Sequence, residues 1–159
     1  MGTFRQARAA HHAGRMGIDL LKGLPSNARI TVDSAPIIYF LQDHPKLADR
    51  FAPIFQAAAE GAISLCVSTI TLAEVLAGPM KAGNDILAAQ YQEAFRGSRN
   101  WEIVPVSEEV AVLAARIRVV RRLRLPDAIQ VATAVTTGSI ALVTHDVDFS
   151  NVTEIRIIS

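Results

Sequence analysis

The chain has 159 residues, a length that suits one globular domain with a buried core. Half of the residues are hydrophobic and 19% are charged, which excludes a disordered chain because enough apolar surface is available to offset the entropy lost on ordering. The net charge is only +1, so any attraction to nucleic acid must come from local clusters of basic residues.

The N-terminal segment and the single cysteine predict a cytoplasmic protein without a membrane span. Residues 1–17 are basic and small and lack the apolar segment of a secretory signal, and the charge-free residues 128–145 are too polar to cross a bilayer. Cys66 is the only cysteine, which excludes an intrachain disulfide and suits a reducing compartment. We expect a loose extension over residues 1–28 and one folded domain over residues 29–159.

The first half of the domain alternates apolar strands with helices. The predicted elements are a strand at residues 30–32, a helix from residue 34, a helix at 47–60, a strand at 63–67 and a helix around 72–76. Ser34 is the predicted N-cap of the first helix, with Pro36 in its first turn. The dipeptide Gly78-Pro79 is predicted to end the third helix.

The second half continues the alternation. Its predicted elements are a helix at residues 85–95, a strand at 101–106, a helix opening after Ser107, a helix at 127–136, a strand at 140–143 and an edge strand at 155–158. On a helical wheel, the apolar stripe of the helix after Ser107 consists of Val112, Leu113, Val119, Val120 and Leu123. Short apolar strands alternating with amphipathic helices indicate an α/β fold with a mostly parallel sheet.

Four acidic residues occupy unusual positions in this scheme. Asp33 and Asp146 each follow a predicted buried strand, where parallel α/β sheets bind their ligands. Glu74 lies in an otherwise apolar segment, and Asp127 lies where one helix ends and the next begins.

Four carboxylates in one crevice repel one another. At an assumed separation of ~5 Å and an effective dielectric of ~20, the repulsion between each pair costs about 3 kcal/mol. A divalent cation relieves this repulsion, and oxygen ligands without histidine favour Mg²⁺ or Mn²⁺, ions that activate water and bind phosphate.

Each acid also has an interpretation that requires no metal. Asp33 and Asp127 are each positioned to cap the helix that follows, and Asp146 or Asp148 suits an ordinary turn. Glu74 is harder to explain in this way, because a surface glutamate usually has polar neighbours in the chain. The joint placement of the four acids favours a common site over four separate explanations.

Four segments of the chain together resemble the motifs of PIN-domain ribonucleases, particularly the VapC-type toxins of bacterial toxin–antitoxin pairs. They are residues 32–34, 69–78, 125–134 and 142–149, in the order and at the spacing of that family. The resemblance covers nearly all of the predicted domain, from about residue 30 to residue 158.

The resemblance implies a three-layer α/β/α domain whose central, mostly parallel sheet has about five strands. It also implies Mg²⁺- or Mn²⁺-dependent endonuclease activity on RNA, a homodimer and a cognate VapB-like antitoxin that blocks the site. The catalytic and metal-binding residues that it indicates are Asp33, Glu74, Asp127 and Asp146, with Thr144, Asp148 and Ser34 as auxiliary residues.

Two positions depart from the family pattern. Relatives often carry Asn or Ser where this chain has Ala35-Pro36, and this change removes a hydrogen bond near the site. The residue before the fourth-motif acid is usually Asn, but here it is His145. Two interpretations of His145 stay open, a metal ligand or proton carrier and a solvent-facing or hydrogen-bonding side chain.

Five arginines lie just before Asp127, at positions 116, 118, 121, 122 and 124. They indicate either a solvated helix face or a surface that contacts RNA phosphates or an acidic segment of the antitoxin. Arg124, nearest to the acids in sequence, is the first candidate for a substrate contact, and Arg121 is the second.

The predicted activity is cleavage of single-stranded or loop RNA to give a 5′-phosphate and a 3′-hydroxyl, and two other functions are alternatives to it. A haloacid-dehalogenase-like phosphatase needs a second Asp two residues after the first, where this chain has Ala35. A catalytically inactive PIN-fold adaptor for RNA or protein is the other alternative, although all four acids are present. Nucleotide-binding P-loop, zinc-protease and α/β-hydrolase motifs are absent from the sequence.

Overall fold

Strands and helices alternate along the part of the chain that the computed structural model describes, residues 20–159. The strands are β1 (Ala28–Val32), β2 (Ile63–Ser68), β3 (Trp101–Val104), β4 (Ala141–Val143) and β5 (Arg156–Ile158). The helices are α1 (Ser34–Leu41), α2 (Ala48–Ala59), α3 (Thr69–Lys81), α4 (Asp85–Gly97), α5 (Glu108–Arg121) and α6 (Leu125–Thr136), and a short 3-10 helix spans Val147–Asn151.

The five strands form one sheet in the order β3-β2-β1-β4-β5, and every pair of neighbours is parallel. The predicted parallel sheet is confirmed, as is the predicted position of the last strand at an edge. From β1 the chain proceeds outward to β2 and β3, and it then returns to β4 on the other side of β1. The crevice beyond the carboxyl ends of β1 and β4 is therefore a topological switch point, where open α/β sheets bind their ligands.

Helices cover both faces of the sheet, which confirms the predicted three layers. Ile30 and Val32 of β1 belong to one core, which they share with buried residues of α1, α2, α3 and α4. Leu142 of β4 and Phe149 belong to a second core, which is formed with α5 and α6. Because both faces of the strands are buried, the strands are apolar runs rather than alternating sequences.

The segment before β1 packs on the domain. Leu20 is 4% exposed and belongs to the first core, and Leu21 and Leu24 pack against it. This part of the predicted loose extension is therefore attached to the core. The rest of that extension, residues 1–19, lies outside the described residues, so the predicted domain boundary stays a prediction.

The prediction that Gly78-Pro79 ends a helix is wrong, since α3 runs from Thr69 to Lys81 with Pro79 inside it. Proline removes one backbone hydrogen bond and clashes with the preceding turn, at a cost of ~3 kcal/mol in a free helix. Pro79 is buried in this position. Burial against the rest of the domain offsets the local penalty, which a sequence pattern does not reveal.

The predicted apolar stripe of α5 is confirmed for Leu113, which packs against the second core, and for Leu123, which belongs to it, but it is wrong for its three valines. Val112, Val119 and Val120 are 58%, 80% and 63% exposed. The helix instead buries Val110, Ala114 and Ile117, which lie at the spacing i, i+4, i+7 and share a core with α6. The helix is therefore rotated about its axis relative to the prediction, and the bulkier valines face outward.

Two structural features concern the predictions made for Cys66 and for the membrane span. Cys66 is free and buried in β2, and burial raises the pKa of its thiol. None of the helices within residues 20–159 has both the length and the apolarity needed to cross a bilayer.

Candidate metal centre

The ends of β1 and β4 bring the first and fourth acidic segments together. The backbone N–H of Asp33 donates to the carbonyl oxygen of Val143 at 2.9 Å, which continues the parallel ladder one residue past β1. Thr144 and Asp146 follow β4 directly. The predicted placement of Asp33 and Asp146 at the same edge of the sheet therefore follows from strand pairing alone.

Asp33 is 7% exposed, and its two carboxylate oxygens accept hydrogen bonds from three separate elements. Oδ1 accepts from the backbone N–H of Ser34 at 2.7 Å and from Nε2 of Gln130 at 3.2 Å. Oδ2 accepts from the hydroxyl of Thr144 at 2.8 Å. These bonds hold the carboxylate in one orientation.

Asp33, and not Ser34 as predicted, caps α1. Its extended backbone, with φ −72° and ψ 167°, allows its carboxylate to accept from the first helical N–H group. Ser34 is the first residue of the helix, and its hydroxyl oxygen lies 3.5 Å from Oδ1 of Asp33. Asp33 therefore caps α1 and also lies among the acids of the candidate site.

Burial raises the pKa of Asp33 to about 6 from an ordinary value of 3.8. The hydrogen bonds from Thr144 and Ser34 act in the opposite direction because they favour the charged form. The neighbouring charges of Glu74 and Asp127 raise the pKa further. The site therefore favours either a proton or a cation beside Asp33.

Asp127, Asp146 and Asp148 are closer to one another than any other group of potential metal ligands in residues 20–159. One carboxylate oxygen from each lies within 4.8 Å of the others. Asp127 is buried in the first turn of α6, Asp146 is half-buried and Asp148 is exposed. Burial raises the pKa of Asp127, and a hydrogen bond from Arg124 opposes this shift.

The 3-10 helix after β4 orients two of these acids. The backbone N–H of Asp146 donates to the hydroxyl oxygen of Thr144 at 3.1 Å. The carboxylate of Asp146 caps the 3-10 helix by accepting from the backbone N–H of Asp148 at 2.9 Å. Thr144 thus links Asp146 to Asp33, while its auxiliary role in catalysis stays a prediction.

The structure arranges the predicted acids in two groups. Asp127 and Asp146 lie with Asp148, which was predicted only as an auxiliary acid. Asp33 lies close enough to Asp127 and to Glu74 that the charges of both act on it. Glu74 projects half-buried from α3. Which of these carboxylates bind a metal stays a prediction.

Arg124 bridges two of the acids. Its Nε lies 3.0 Å from Oδ2 of Asp127, and its Nη2 lies 3.5 Å from Oδ2 of Asp146. Its side chain is 71% exposed, so it lies at the mouth of the crevice. Arg121, the second candidate for a substrate contact, is half-buried and pairs with Glu154 at 2.8 Å. A substrate role for either arginine stays a prediction.

His145 lies beside the aromatic side chains of the α1–α2 region. Its Nδ1 is 3.4 Å from the hydroxyl oxygen of Tyr39, and the two rings are nearly perpendicular, at 82°. Its ring also lies edge-on to that of Phe51. This geometry agrees with the hydrogen-bonding interpretation of His145, and the described ligand cluster contains carboxylates only.

Gln130 and Thr71 are two residues of the site that the sequence analysis did not identify. Gln130 is 1% exposed, and its Nε2 donates both to Asp33 and, at 2.7 Å, to the hydroxyl oxygen of Thr71. The available signal was a long polar side chain one turn after Asp127, on the buried face of α6. Its partners are 97 and 59 residues away in the chain, so the pattern alone did not indicate them.

The donor set fits a hard divalent cation. The clustered ligand atoms are all carboxylate oxygens, and within residues 20–159 Arg124 and hydrogen-bond donors reduce their mutual repulsion. Oxygen ligands of this kind suit Mg²⁺ or Mn²⁺ better than zinc.

Comparison with known families identifies the same segments. A family model described as the PIN domain matches residues 30–155, which include all the acids discussed above. None of the curated proteins compared with the chain matches it.

Solved structures share this fold at low sequence identity. VapBC2 from Rickettsia felis, bound to a DNA fragment from their promoter, has a TM-score of 0.66 at 17% identity over 81% of this chain and 96% of that chain. DNA-bound VapBC from Salmonella typhimurium has a TM-score of 0.65 at 20% identity over 82% and 96%. VapC20 from Mycobacterium tuberculosis, a sarcin-ricin loop cleaving toxin, has a TM-score of 0.63 at 19% identity over 80% and 98%.

Proposed function

The chain belongs to the PIN domain family, and from this premise we propose that it is a metal-dependent endoribonuclease, the VapC-like toxin of a type II toxin–antitoxin module. The observation that supports the proposal most strongly is the convergence of acids at the switch point of the sheet. Asp127, Asp146 and Asp148 each offer a carboxylate oxygen within 4.8 Å of the others, and Asp33 is near enough to feel the charge of Asp127. Asp33 is buried and its pKa is raised, which is unfavourable for the charged form and is not expected of an acid cluster that serves only as a solvated surface.

The residues have distinct roles in this proposal. Asp127, Asp146 and Asp148 hold a Mg²⁺ or Mn²⁺ ion, with Asp33 and Glu74 completing the negative environment. When bound by these residues, the ion would supply metal-activated water and charge neutralisation at the phosphate. Thr144 orients Asp33, and Arg124 is exposed at the mouth, where it contacts a backbone phosphate of the RNA. Cleavage leaves a 5′-phosphate and a 3′-hydroxyl.

The proposal includes a VapB-like antitoxin, a homodimer and a cytoplasmic location. The VapBC complexes of similar fold support the antitoxin. The outward-facing Val112, Val119 and Val120 of α5 support a protein contact, because a row of exposed valines is costly to leave in water. Sedimentation velocity of the purified chain tests the dimer, and co-purification with the product of the adjacent small reading frame tests the antitoxin.

The decisive experiment measures cleavage of a labelled single-stranded or hairpin RNA. Cleavage is expected with Mg²⁺ or Mn²⁺, no cleavage with EDTA, and recovery when the metal is restored. Asp127→Asn and Asp33→Asn are expected to reduce cleavage to background, while Asp85→Asn, which changes an exposed acid outside the cluster, retains activity. Variants at Asp127 and Asp33 that cut as fast as wild type contradict the proposal, and RNA binding without cleavage favours the inactive adaptor.

A further inference from the structure

One buried amide connects three of the elements that carry the acids. Gln130 of α6 lies one turn after Asp127. Its Nε2 donates to Oδ1 of Asp33, at the end of β1, and to the hydroxyl oxygen of Thr71 on α3. Thr71 lies one turn before Glu74 on the same helix. The two hydrogen bonds of this amide therefore join α6 to the end of β1 and to α3.

The orientation of the amide follows from its partner. Asp33 accepts at Oδ1, so the nitrogen of Gln130 faces it and the oxygen points away. Together with the Thr144 hydroxyl on Oδ2, this fixes both carboxylate oxygens of Asp33. The rotation of the carboxylate about its last side-chain bond is thereby restrained from two sides.

Stability alone does not account for Gln130. Its side chain is 1% exposed, yet its Oε1 lacks a hydrogen-bond partner in the described part of the chain. Burial of an unpaired amide oxygen is unfavourable, and a methionine of similar length fills the same space without that penalty. The feature that a methionine does not reproduce is the pair of hydrogen bonds to Asp33 and Thr71.

Resting on the function proposed above, we infer that Gln130 is a positioning residue for metal binding. It acts through Asp33, whose carboxylate it orients toward the acid trio, and it does not contact the metal or the RNA. Hydrogen-bond partners behind metal-site carboxylates commonly change metal affinity or activity by ~10–100-fold when they are removed.

The primary test is Gln130→Met in the full chain, with Mn²⁺ affinity measured by isothermal titration calorimetry in the absence of RNA. The affinity is expected to fall by ~10–100-fold. In cleavage assays kcat is expected to fall at subsaturating Mn²⁺, while KM for RNA changes by about twofold or less because the RNA contacts are retained. Thr133→Val is the matched control, since Thr133 is on the same helix and equally buried, and its hydroxyl likewise lacks a partner within residues 20–159. The side-chain donors to Asp33 are Ser34, Gln130 and Thr144, and Thr133 is not among them.

A second variant removes the other end of the link. Thr71→Val keeps the shape of the side chain and deletes the acceptor of Gln130. Its Mn²⁺ affinity is expected to fall by less than that of Gln130→Met, because Asp33 keeps its own hydrogen bond. The double variant is expected to bind no more weakly than Gln130→Met alone, since both changes remove one shared link.

The outcomes separate this inference from the proposed function. A folded Gln130→Met protein that binds Mn²⁺ with wild-type affinity overturns the positioning role, while wild-type cleavage leaves the nuclease proposal intact. If Gln130→Met does not fold, Thr71→Val decides, and unchanged Mn²⁺ affinity in that variant overturns the inference. A wild-type chain that neither binds Mn²⁺ nor cuts RNA overturns the proposed function and this inference with it.

Discussion

The hydroxyl of Thr144 donates to Oδ2 of Asp33 at 2.8 Å, across the boundary between β4 and β1. The same hydroxyl oxygen accepts from the backbone N–H of Asp146 at 3.1 Å. Thr144 is fully buried and therefore lacks competing water. One side chain thus couples the orientation of the first acid to that of the fourth.

Thr144→Val is expected to reduce RNA cleavage by ~10–100-fold, because Asp33 loses a donor that favours its charged form and Asp146 loses an acceptor for its N–H. Thr144→Ser keeps the hydroxyl and is expected to stay within a few-fold of wild type. Single-turnover cleavage at saturating Mn²⁺ measures the effect. Equal rates for the valine and serine variants, with both proteins folded, contradict a role for this hydrogen bond.

Asp33→Asn is expected to stabilise the metal-free protein above pH 6. The pKa of Asp33 is raised from 3.8 to about 6, so the folded chain binds this proton more tightly than the unfolded chain does. The resulting stability is present below pH ~4 and is lost as the pH rises through 6, a change of about 3 kcal/mol. Asparagine avoids this loss, so its advantage is expected to be absent near pH 4 and to reach about 1–3 kcal/mol at pH 8.

Urea unfolding in EDTA across this pH range measures the difference between the two proteins. Asp85→Asn, which removes an exposed charge, is the control and is expected to change the stability by about 0.5 kcal/mol or less. Saturating Mn²⁺ is expected to raise the stability of wild type by mass action and that of Asp33→Asn by less, because the acid trio is retained and one neighbouring charge is lost. A stability difference that does not depend on pH contradicts the raised pKa.

The placement of Asp33 and Asp146 was predictable because it depends on local sequence. Each follows a short run of apolar residues, and parallel strands bring their carboxyl ends to one edge whatever the details of the helices. Gln130 was not predictable in this way, since its amide acquires its role only through partners on β1 and α3. Long-range hydrogen bonds of an uncharged side chain leave no periodic signal.

The incorrect helix predictions have a tertiary cause. On α5, the most apolar stripe of the wheel contains Val119 and Val120, yet the buried side is the one where the small Ala114 packs among the residues of the second core. On α3, burial of Pro79 offsets a local penalty that ends most helices. In both elements the packing partner, rather than the pattern of the helix itself, decides the outcome.

Asp148 is expected to contribute directly to metal affinity. It was predicted as an auxiliary acid, but its carboxylate lies within 4.8 Å of ligand atoms of Asp127 and Asp146. Asp148→Asn is expected to weaken Mn²⁺ binding by roughly tenfold, and Asp127→Asn by more, because each removes one charged ligand and Asp127 is buried. Calorimetric titration of both variants tests this order. Unchanged Mn²⁺ affinity in Asp148→Asn contradicts a metal-binding role and supports the interpretation of Asp148 as an ordinary turn residue.

Arg124→Gln is expected to separate metal binding from RNA binding. The guanidinium lies 3.0 Å from Asp127 and 3.5 Å from Asp146, so it competes with a cation for the same carboxylates. Its removal is expected to raise Mn²⁺ affinity by a few-fold.

The Arg124→Gln change is also expected to raise KM for RNA by about tenfold, since one phosphate contact is lost. For the same reason, the number of ions released on RNA binding, read from its salt dependence, is expected to fall by about one. Arg118→Gln, an exposed change on α5, is the control for the loss of one positive charge. Weaker Mn²⁺ binding in Arg124→Gln contradicts the competition between the guanidinium and the metal, and an unchanged KM assigns Arg124 to charge neutralisation in the metal-free state alone.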